Sequence, residues 1–243
     1  MHDYSAKVGS MSRQDHLAKR SPVAVIWDVD GVVIDSADQH RQSWQRLAKE
    51  NGFPYTAEAF WAHFGRRNAD VIPAMFGIAG PPERIAALAN RKEEIYRALL
   101  AEQAAPLPGA QGLMAALYEV GYRQALASSA PLENIRLIVK LLGLEPYLTA
   151  WVSGESVARG KPAPDIFLAA ASQVAVPSTR CLVIEDAPAG IQAAHAGGMK
   201  ALAVRRAGQP DAPGLEQAEY VASSLREVDV VLVDRLLGVG YAC

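Results

Sequence analysis

A short apolar run that ends in two aspartates is the feature that most constrains how this chain folds. Residues 23–27 read Val-Ala-Val-Ile-Trp, a composition typical of a strand buried on both faces of a parallel sheet. Asp28 and Asp30 follow two residues apart, so their side chains start on one face, and Gly31 allows the chain to turn. Ligands of open α/β sheets bind beyond the carboxyl ends of the strands. We therefore expect a paired-carboxylate site here, although an isolated Asp-x-Asp-Gly also fits an exposed turn.

From Pro106 onward, strand and helix patterns alternate along the chain. The expected strands cover 123–127, 150–153, 181–184 and 200–204, with a short one near Tyr220, and the expected helices cover 110–120, 133–142, 165–173 and 189–196. Such alternation predicts an α/β fold with a parallel sheet that is covered by helices on both faces.

Between the first strand and this alternating region, residues 37–103 carry only helical patterns. The expected helices cover 37–51, 56–64, 68–76 and 82–100, and Ser36 or Asp35 is expected to cap the first of them. A helical block that follows the first strand predicts an inserted α-helical cap over 37–103, with hinges near Ser36 and near 105–108. The core then comprises 21–36 and 104–243. Residues 1–20 are polar and are expected to form a flexible N-terminal tail, with either Met1 or Met11 as the native start.

The composition and net charge of the chain indicate which classes of binding partner are not expected. The formal net charge of the 243 residues is −2, and no basic stripe is present, so we expect no nucleic-acid partner. No apolar run is long enough for a membrane span, so we expect no membrane either. The two cysteines, Cys181 and Cys243, suit a reducing compartment, and we expect a cytoplasmic protein that is a monomer or a small homo-oligomer. Cys181 is expected to be a small buried apolar residue.

Polar side chains stand at the ends of the expected strands or in the loops that follow them. They are Asp28 and Asp30 after the first strand, Ser128 and Ser129 after the second, Lys161 beyond the third, and Glu185 and Asp186 after the fourth. Because parallel strands end at one edge of a sheet, we expect these groups to lie together.

Their chemistry is that of phosphoryl transfer. The carboxylates of Asp28, Glu185 and Asp186, with a main-chain carbonyl at Asp30, are oxygen ligands that suit Mg²⁺. Lys161, Ser128 and Ser129 are expected to hold the transferring phosphoryl group. Asp28 can attack phosphorus, and Asp30 can act as general acid and base.

These residues resemble the four motifs of the haloacid dehalogenase superfamily. The matching residues are Asp28-x-Asp30-Gly31-Val32, Ser128, Lys161-Pro162 and Glu185-Asp186, and the match extends from about residue 23 to 205. The resemblance implies a Rossmann-like core, dependence on Mg²⁺ and an aspartyl-phosphate intermediate. The helical insert resembles the cap that closes over small substrates in this family.

Within the superfamily, the chain is similar to β-phosphoglucomutase and its phosphatase relatives. The similarity lies in Asp35-Ser36-x-x-x-His40, Trp44, Arg91-Lys92 and Ala163-Pro164-Asp165-Ile166-Phe167. It implies that His40 contacts the substrate, and we expect Arg67 and Lys92 to do so from the cap, with Arg66 as the alternative to Arg67.

One departure from the mutase pattern bears on the reaction. The mutase residues Ala-Ser-Lys-Asn after the motif serine are Ser129-Ala130-Pro131-Leu132 here, so the lysine and serine that help to hold a second phosphate are missing. We therefore expect a Mg²⁺-dependent phosphatase of a small phosphorylated metabolite, with a sugar phosphate as the expected substrate. The alternatives are a phosphosugar mutase and a non-catalytic binding protein on the same fold.

Overall fold

A six-stranded parallel sheet lies at the centre of the structure, a computed structural model that describes residues 21–78, 80–205 and 213–239. The strands are β1 (Ala24–Trp27), β2 (Arg123–Ser128), β3 (Ala150–Ser153), β4 (Cys181–Glu185), β5 (Lys200–Val204) and β6 (Tyr220–Ala222). They pair in the order β3-β2-β1-β4-β5-β6. The chain therefore winds away from β1 in both directions, and β1 and β4 meet at the switch point where such sheets bind ligands.

Helices cover both faces of the sheet. The core helices are α5 (Ala110–Glu119), α6 (Leu132–Leu142), α7 (Asp165–Gln173), α8 (Pro188–Ala196) and α9 (Val230–Leu237). Alternate residues of β1 point to opposite faces: Val25 and Trp27 pack with α5 and α6, whereas Ala24 and Ile26 pack with α7 and α8. All four side chains are fully buried, which explains why the strand reads as a continuous apolar run.

The described residues of the insert after β1 form helices and the loops between them, with no strand. It contains α1 (Ala37–Asn51), α2 (Ala57–His63), α3 (Asn68–Phe76) and α4 (Pro82–Gln103). Trp44, Phe60 and Ile72 are buried members of a hydrophobic cluster that these helices form among themselves. This agrees with the predicted fold class, a Rossmann-like α/β core with an inserted α-helical cap, whereas the exact domain limits remain a prediction.

Two crossing segments join the insert to the core, and they pair with each other. Asp35 N–H donates to the carbonyl of Ala105 at 3.0 Å, and Leu107 N–H donates to the carbonyl of Val33 at 2.9 Å. Ile34 and Pro106 form an antiparallel bridge between them. The expected hinges near Ser36 and near 105–108 thus lie side by side.

Several local predictions differ from the structure. Helix α9 was not expected, because Val-Val-Leu-Val is a short apolar run that periodicity cannot assign to a helix or a strand. Ser36 occupies the N-cap position of α1, but its hydroxyl makes no capping bond and binds Asp30 instead. The expected tail (1–20) and Cys243 lie outside the described residues. Within the described part of the chain, no helix has the length and apolar character that a membrane crossing requires.

Burial protects the thiol of Cys181, and this can be tested. The side chain is fully buried at the start of β4, and burial raises its pKa to about 12, so the reactive thiolate is scarce at pH 8. In a Cys243→Ser variant we expect no reaction with Ellman's reagent in buffer and one reacting thiol per chain in denaturant. A thiol that reacts within seconds in the native variant would contradict this packing.

Candidate active site

Three carboxylates meet where β1 and β4 end. Asp28 directly follows β1, and its N–H extends the ladder by donating to the carbonyl of Ile184 at 2.9 Å. This pairing sets Asp28 beside Glu185, the last residue of β4, and Asp186 comes next in the chain. Carboxylate oxygens of these three buried acids lie within 4.8 Å of one another.

Lys161 supplies a positive charge to this group. Its Nζ donates to Asp28 Oδ1 at 2.5 Å and to Glu185 Oε1 at 2.6 Å, and it lies 4.8 Å from the centre of the Phe167 ring. Burial would lower the pKa of Lys161, but attraction to Asp28 and Glu185 outweighs burial and raises the pKa, so the ammonium stays charged. An unpaired ammonium in such a place would be strongly destabilising, so the lysine and the two acids depend on one another.

The other oxygen of Glu185 is held by the main chain. Glu185 Oε2 accepts hydrogen bonds from the N–H groups of Asp186 at 2.7 Å and Ala187 at 2.8 Å. Gly190, in the first turn of α8, leaves room for this carboxylate, because a Cβ at that position would overlap Glu185 Oε1. Local sequence thus fixes the orientation of Glu185 before any ligand is bound.

The three acids fit a divalent cation. Burial raises the pKa of Asp28 well above its usual value, and the charges of Glu185 and Asp186 add to this, while Lys161 opposes it. A cation among the carboxylates would offset that repulsion, and a set of carboxylate oxygens is what Mg²⁺ prefers. Asp28, Glu185 and Asp186, all expected metal ligands, are therefore brought together. The side chain of Asp30 is not part of this group, and its expected contribution through the main-chain carbonyl remains a prediction.

The Asp30 carboxylate faces the cap instead. Gly31, with φ of +85°, opens a tight turn in which its N–H donates to the carbonyl of Ile34 at 2.9 Å. Asp30 Oδ1 accepts hydrogen bonds from Ser36 Oγ at 2.6 Å, His40 Nε2 at 3.0 Å and Tyr96 OH at 3.0 Å. Burial would raise the pKa of Asp30, but His40, Ser36 and Tyr96 outweigh burial and hold the pKa well below its usual range.

The hydrogen bonds of His40 fix its tautomer. Lys92 Nζ lies 2.7 Å from His40 Nδ1. Because an ammonium can only donate, Nδ1 accepts, and the ring proton is on Nε2, which donates to Asp30. The imidazole stacks on the Tyr96 ring at 3.9 Å between ring centres. Burial and the charge of Asp30 raise the pKa of Tyr96 well above its usual value, so its hydroxyl remains a donor.

A cavity of about 50 Å³ lies between the cap and the end of the sheet. Six of the predicted site residues line it: Asp28, Asp30, His40, Lys92, Ser128 and Ser129. Lys161, Glu185 and Asp186 lie behind Asp28. The Ser128 hydroxyl accepts from the N–H of Ala130 at 3.0 Å, which shapes the loop after β2. At ~10–15 Å³ for each water, the cavity holds only about three to five waters, so a sugar phosphate enters only after the cap moves.

Of the two arginines considered for the cap, Arg66 lines this cavity and Arg67 does not. Arg66 Nη1 lies 3.3 Å from His63 Nδ1, and both side chains face the cavity. Arg67 binds Asp70 at 3.2 Å and the carbonyl of Ala158 at 3.4 Å, so its guanidinium lies against the core loop. The expected contact of Arg67 with substrate remains a prediction, and Arg66 is the better placed of the two.

Sequence reasoning missed Tyr96 and Glu93, which also belong to this site. Both lie on α4 with Lys92, and Tyr96 is four residues beyond Lys92, so the two share one face of the helix. That spacing was the available signal. Their contacts with Asp30 and with the core depend on how the cap packs, and no local pattern specifies this.

Gly190 offers a test of the carboxylate arrangement. Replacing it by alanine is expected to displace the Glu185 side chain and to weaken Mg²⁺ binding at least about tenfold, since a distorted ligand typically costs that much. Gly112→Ala in α5 is the matched control, because a Cβ there meets nothing within 4 Å. The control should stabilise the fold by about 0.8–1 kcal/mol from helix propensity alone.

Calorimetric titration with Mg²⁺ and thermal unfolding of both variants would measure these effects. Wild-type Mg²⁺ affinity in Gly190→Ala would show that the Glu185 orientation does not matter for the cation.

Comparisons with known proteins agree with this geometry. The profile of the haloacid dehalogenase-like hydrolase family matches residues 23–198. The chain is 33% identical over 183 residues to the fructose-1-phosphate phosphatase YqaB of Escherichia coli K12, covering 74% of this chain and 95% of the relative. It is 32% identical over 194 residues to the β-phosphoglucomutase of Bacillus subtilis 168, covering 77% of this chain and 84% of the relative.

A solved structure shares the fold. The crystal structure of β-phosphoglucomutase from Clostridium difficile superposes with a TM-score of 0.81 at 23% identity, covering 90% of this chain and 98% of the other. At that identity the likeness concerns the fold alone. The family profile, the curated relatives and the acidic site at the end of the sheet lead to one conclusion: this chain belongs to the haloacid dehalogenase-like hydrolase family.

Proposed function

We propose that this protein is a Mg²⁺-dependent phosphatase that hydrolyses a small phosphorylated metabolite, with a sugar phosphate as the expected substrate. The observation that carries the proposal is the juxtaposition of Asp28, which lines the cavity, with the Lys161 ammonium and two further buried carboxylates. Relatives named as a fructose-1-phosphate phosphatase and as a hexitol phosphatase support this substrate class.

In the first step, a carboxylate oxygen of Asp28 attacks the phosphorus of the bound ester, and the bond from phosphorus to the ester oxygen breaks. Asp30 gives a proton to the departing oxygen, so the product leaves as a neutral alcohol. Asp30 is ionised in the free enzyme, so it takes up one proton from the solvent as the substrate binds, when the negative charge of the arriving phosphate raises its pKa, and it returns that proton to the solvent after the second step. Asp28 then carries the phosphoryl group as an acyl phosphate.

In the second step, water attacks the phosphorus of this aspartyl-phosphate. Asp30, now a carboxylate, takes a proton from the water, and the bond from phosphorus to Asp28 breaks to release inorganic phosphate. The hydroxyl of Ser128 and the ammonium of Lys161 hold the phosphoryl oxygens through both steps. Mg²⁺ held by Asp28, Glu185 and Asp186 would supply positive charge to the phosphate.

The cavity favours a phosphatase over a mutase. Relatives of both kinds match at similar identity, so the preference rests on the site itself. Among the described residues that line the cavity, Arg66 and Lys92 are the basic side chains of the arginine and lysine type, and Lys92 pairs with Glu93 at 2.8 Å. The loop after Ser128 contributes Ser129, Ala130 and Pro131, which bring no charge. A second phosphate would thus meet little positive charge, whereas hydroxyl groups of a sugar suit this lining.

The nucleophile can be tested by replacing Asp28 with asparagine. Release of inorganic phosphate should fall below detection, because an amide is not a nucleophile towards phosphorus, while thermal unfolding stays cooperative. Asp38→Asn is the matched control, since the Asp38 side chain is 77% exposed and should leave turnover unchanged. Mg²⁺-dependent turnover that persists in Asp28→Asn would refute the assignment.

The choice between phosphatase and mutase can be made with β-glucose 1-phosphate. Incubation with Mg²⁺, with and without a hexose bisphosphate activator, should release inorganic phosphate and form no glucose 6-phosphate. Glucose 6-phosphate without phosphate release would instead establish the mutase. A wider panel of sugar phosphates, phosphoglycolate and nucleotides then ranks substrates by kcat/KM, and no release from any of them would favour a binding protein.

A further inference from the structure

A single asparagine of the core is held from both sides by the cap helix α4. Glu93 Oε2 accepts a hydrogen bond from Asn134 Nδ2 at 2.5 Å, and Arg97 Nη1 donates to Asn134 Oδ1 at 3.1 Å. Glu93 and Arg97 are four residues apart, so they project from one face of the helix. Because one end of the amide meets an acceptor and the other meets a donor, the Asn134 side chain has one orientation. Asn134 is fully buried at the start of α6.

Glu93 connects this contact with the reacting groups. Its second oxygen, Oε1, accepts from Lys92 Nζ at 2.8 Å and from Asn68 Nδ2 at 2.6 Å. Lys92 in turn donates to His40, which donates to Asp30. A continuous series of hydrogen bonds therefore runs from the core helix through the cap to Asp30. Burial would raise the pKa of Glu93, but the charge of Lys92 and the hydrogen bonds from Asn68 and Lys92 hold it below the usual value, so Glu93 stays charged.

The contact between Glu93 and Asn134 cannot persist through a reaction cycle. The cavity between cap and core has a volume of only about 50 Å³, which is too small for a sugar phosphate, so the cap must move away from the core to admit one. Glu93 belongs to the cap and Asn134 to the core, so their hydrogen bond breaks on opening and forms again on closure. Hydrogen bonds to a charged group are about twice as strong as neutral ones, so this contact favours the closed state.

We propose that Asn134 is the core residue on which the cap closes, and that Glu93 is a positioning residue for the reaction. With the cap closed, Asn134 holds the Glu93 carboxylate, which keeps Lys92 against His40 and so orients the imidazole towards Asp30. The proposal rests on the proposed function for its kinetic consequences. The closing contact itself is independent of the substrate.

Exchanging the hydrogen-bonding groups of Glu93 and Asn134 tests this proposal. Asn134→Asp places two carboxylates against each other. Glu93→Gln leaves one acceptor oxygen in place of two, so its NH₂ group meets a donor, either Asn134 or the pair Lys92 and Asn68. Each single change should therefore lower kcat/KM about tenfold or more. The double variant Glu93→Gln/Asn134→Asp restores the hydrogen bond with donor and acceptor exchanged and leaves the net charge unchanged. We expect it to recover most of the lost kcat/KM, which a role in folding alone would not produce.

Glu133→Gln is the matched control. Glu133 also pairs with Arg97, at 3.2 Å, but its side chain is 73% exposed and does not reach Glu93. An exposed ion pair contributes little, so kcat/KM should stay within about twofold of wild type.

Hydrogen exchange in the absence of substrate gives a second readout. In the single variants the amides of Asp35 and Leu107, which pair the two crossing segments, should exchange faster, and in the double variant they should return towards wild type. Wild-type kcat/KM and hinge exchange in Asn134→Asp, or a double variant no better than the worse single one, would overturn the proposal. If the wild-type protein releases no phosphate at all, the proposed function fails, and the exchange experiment still decides on the closing contact.

Discussion

The ion pair that Lys161 makes with Asp28 and Glu185 is the interaction on which the rest of the site depends. Three acids are buried at one edge of the sheet, and their mutual repulsion would be costly without a nearby cation. The lysine comes from the loop before α7, and its ammonium lies over Phe167 of that helix. The charge state of the nucleophile therefore depends on the fold of this loop. Displacing the loop would leave Asp28 and Glu185 buried without the ammonium that pairs with them.

The two aspartates of the first motif belong to different parts of the molecule. Asp28 is held by the core, through the strand ladder and Lys161. Asp30, two residues later, is held by Ser36 at the crossing segment and by His40 and Tyr96 on cap helices. The turn at Gly31 separates them. In the proposed reaction, the rigid sheet thus fixes the position of the nucleophile Asp28, whereas the position of the general acid and base Asp30 depends on where the cap lies.

The contacts between cap and core explain how the cap can move. The cap helices have their own hydrophobic cluster, and several of their contacts with the core near the site are polar, including Glu93 with Asn134 and Arg67 with the Ala158 carbonyl. Polar interfaces of this kind permit relative motion of the parts they join. Packing is apolar at the far end of α4, where Tyr96 and Leu100 join the core cluster close to the paired crossing segments. Apolar packing near the hinge and polar contacts at the cavity suit a cap that swings about one end.

Much of the fold was predictable because it follows from local patterns. The runs in β1 and β4 are apolar on both faces, and parallel strands must end at one edge, so the sequence alone brought Asp28, Glu185 and Asp186 to one place. Glycines after helices, as at Gly52 and Gly143, marked where those helices end, and both adopt the left-handed conformation.

Only the tertiary structure decided which partner each group takes. The sequence put Asp28 and Asp30 on one face, yet one turned to Lys161 and the other to the cap. The sequence did not show which of Arg66 and Arg67 faces the cavity. The directions of these adjacent side chains depend on how the helix that follows them packs against the rest of the protein. Glu93 and Asn134 are 41 residues apart, and their hydrogen bond exists only where cap and core meet. Strand and helix preferences act over a few neighbouring residues, whereas these contacts depend on the relative placement of units that fold from distant parts of the chain.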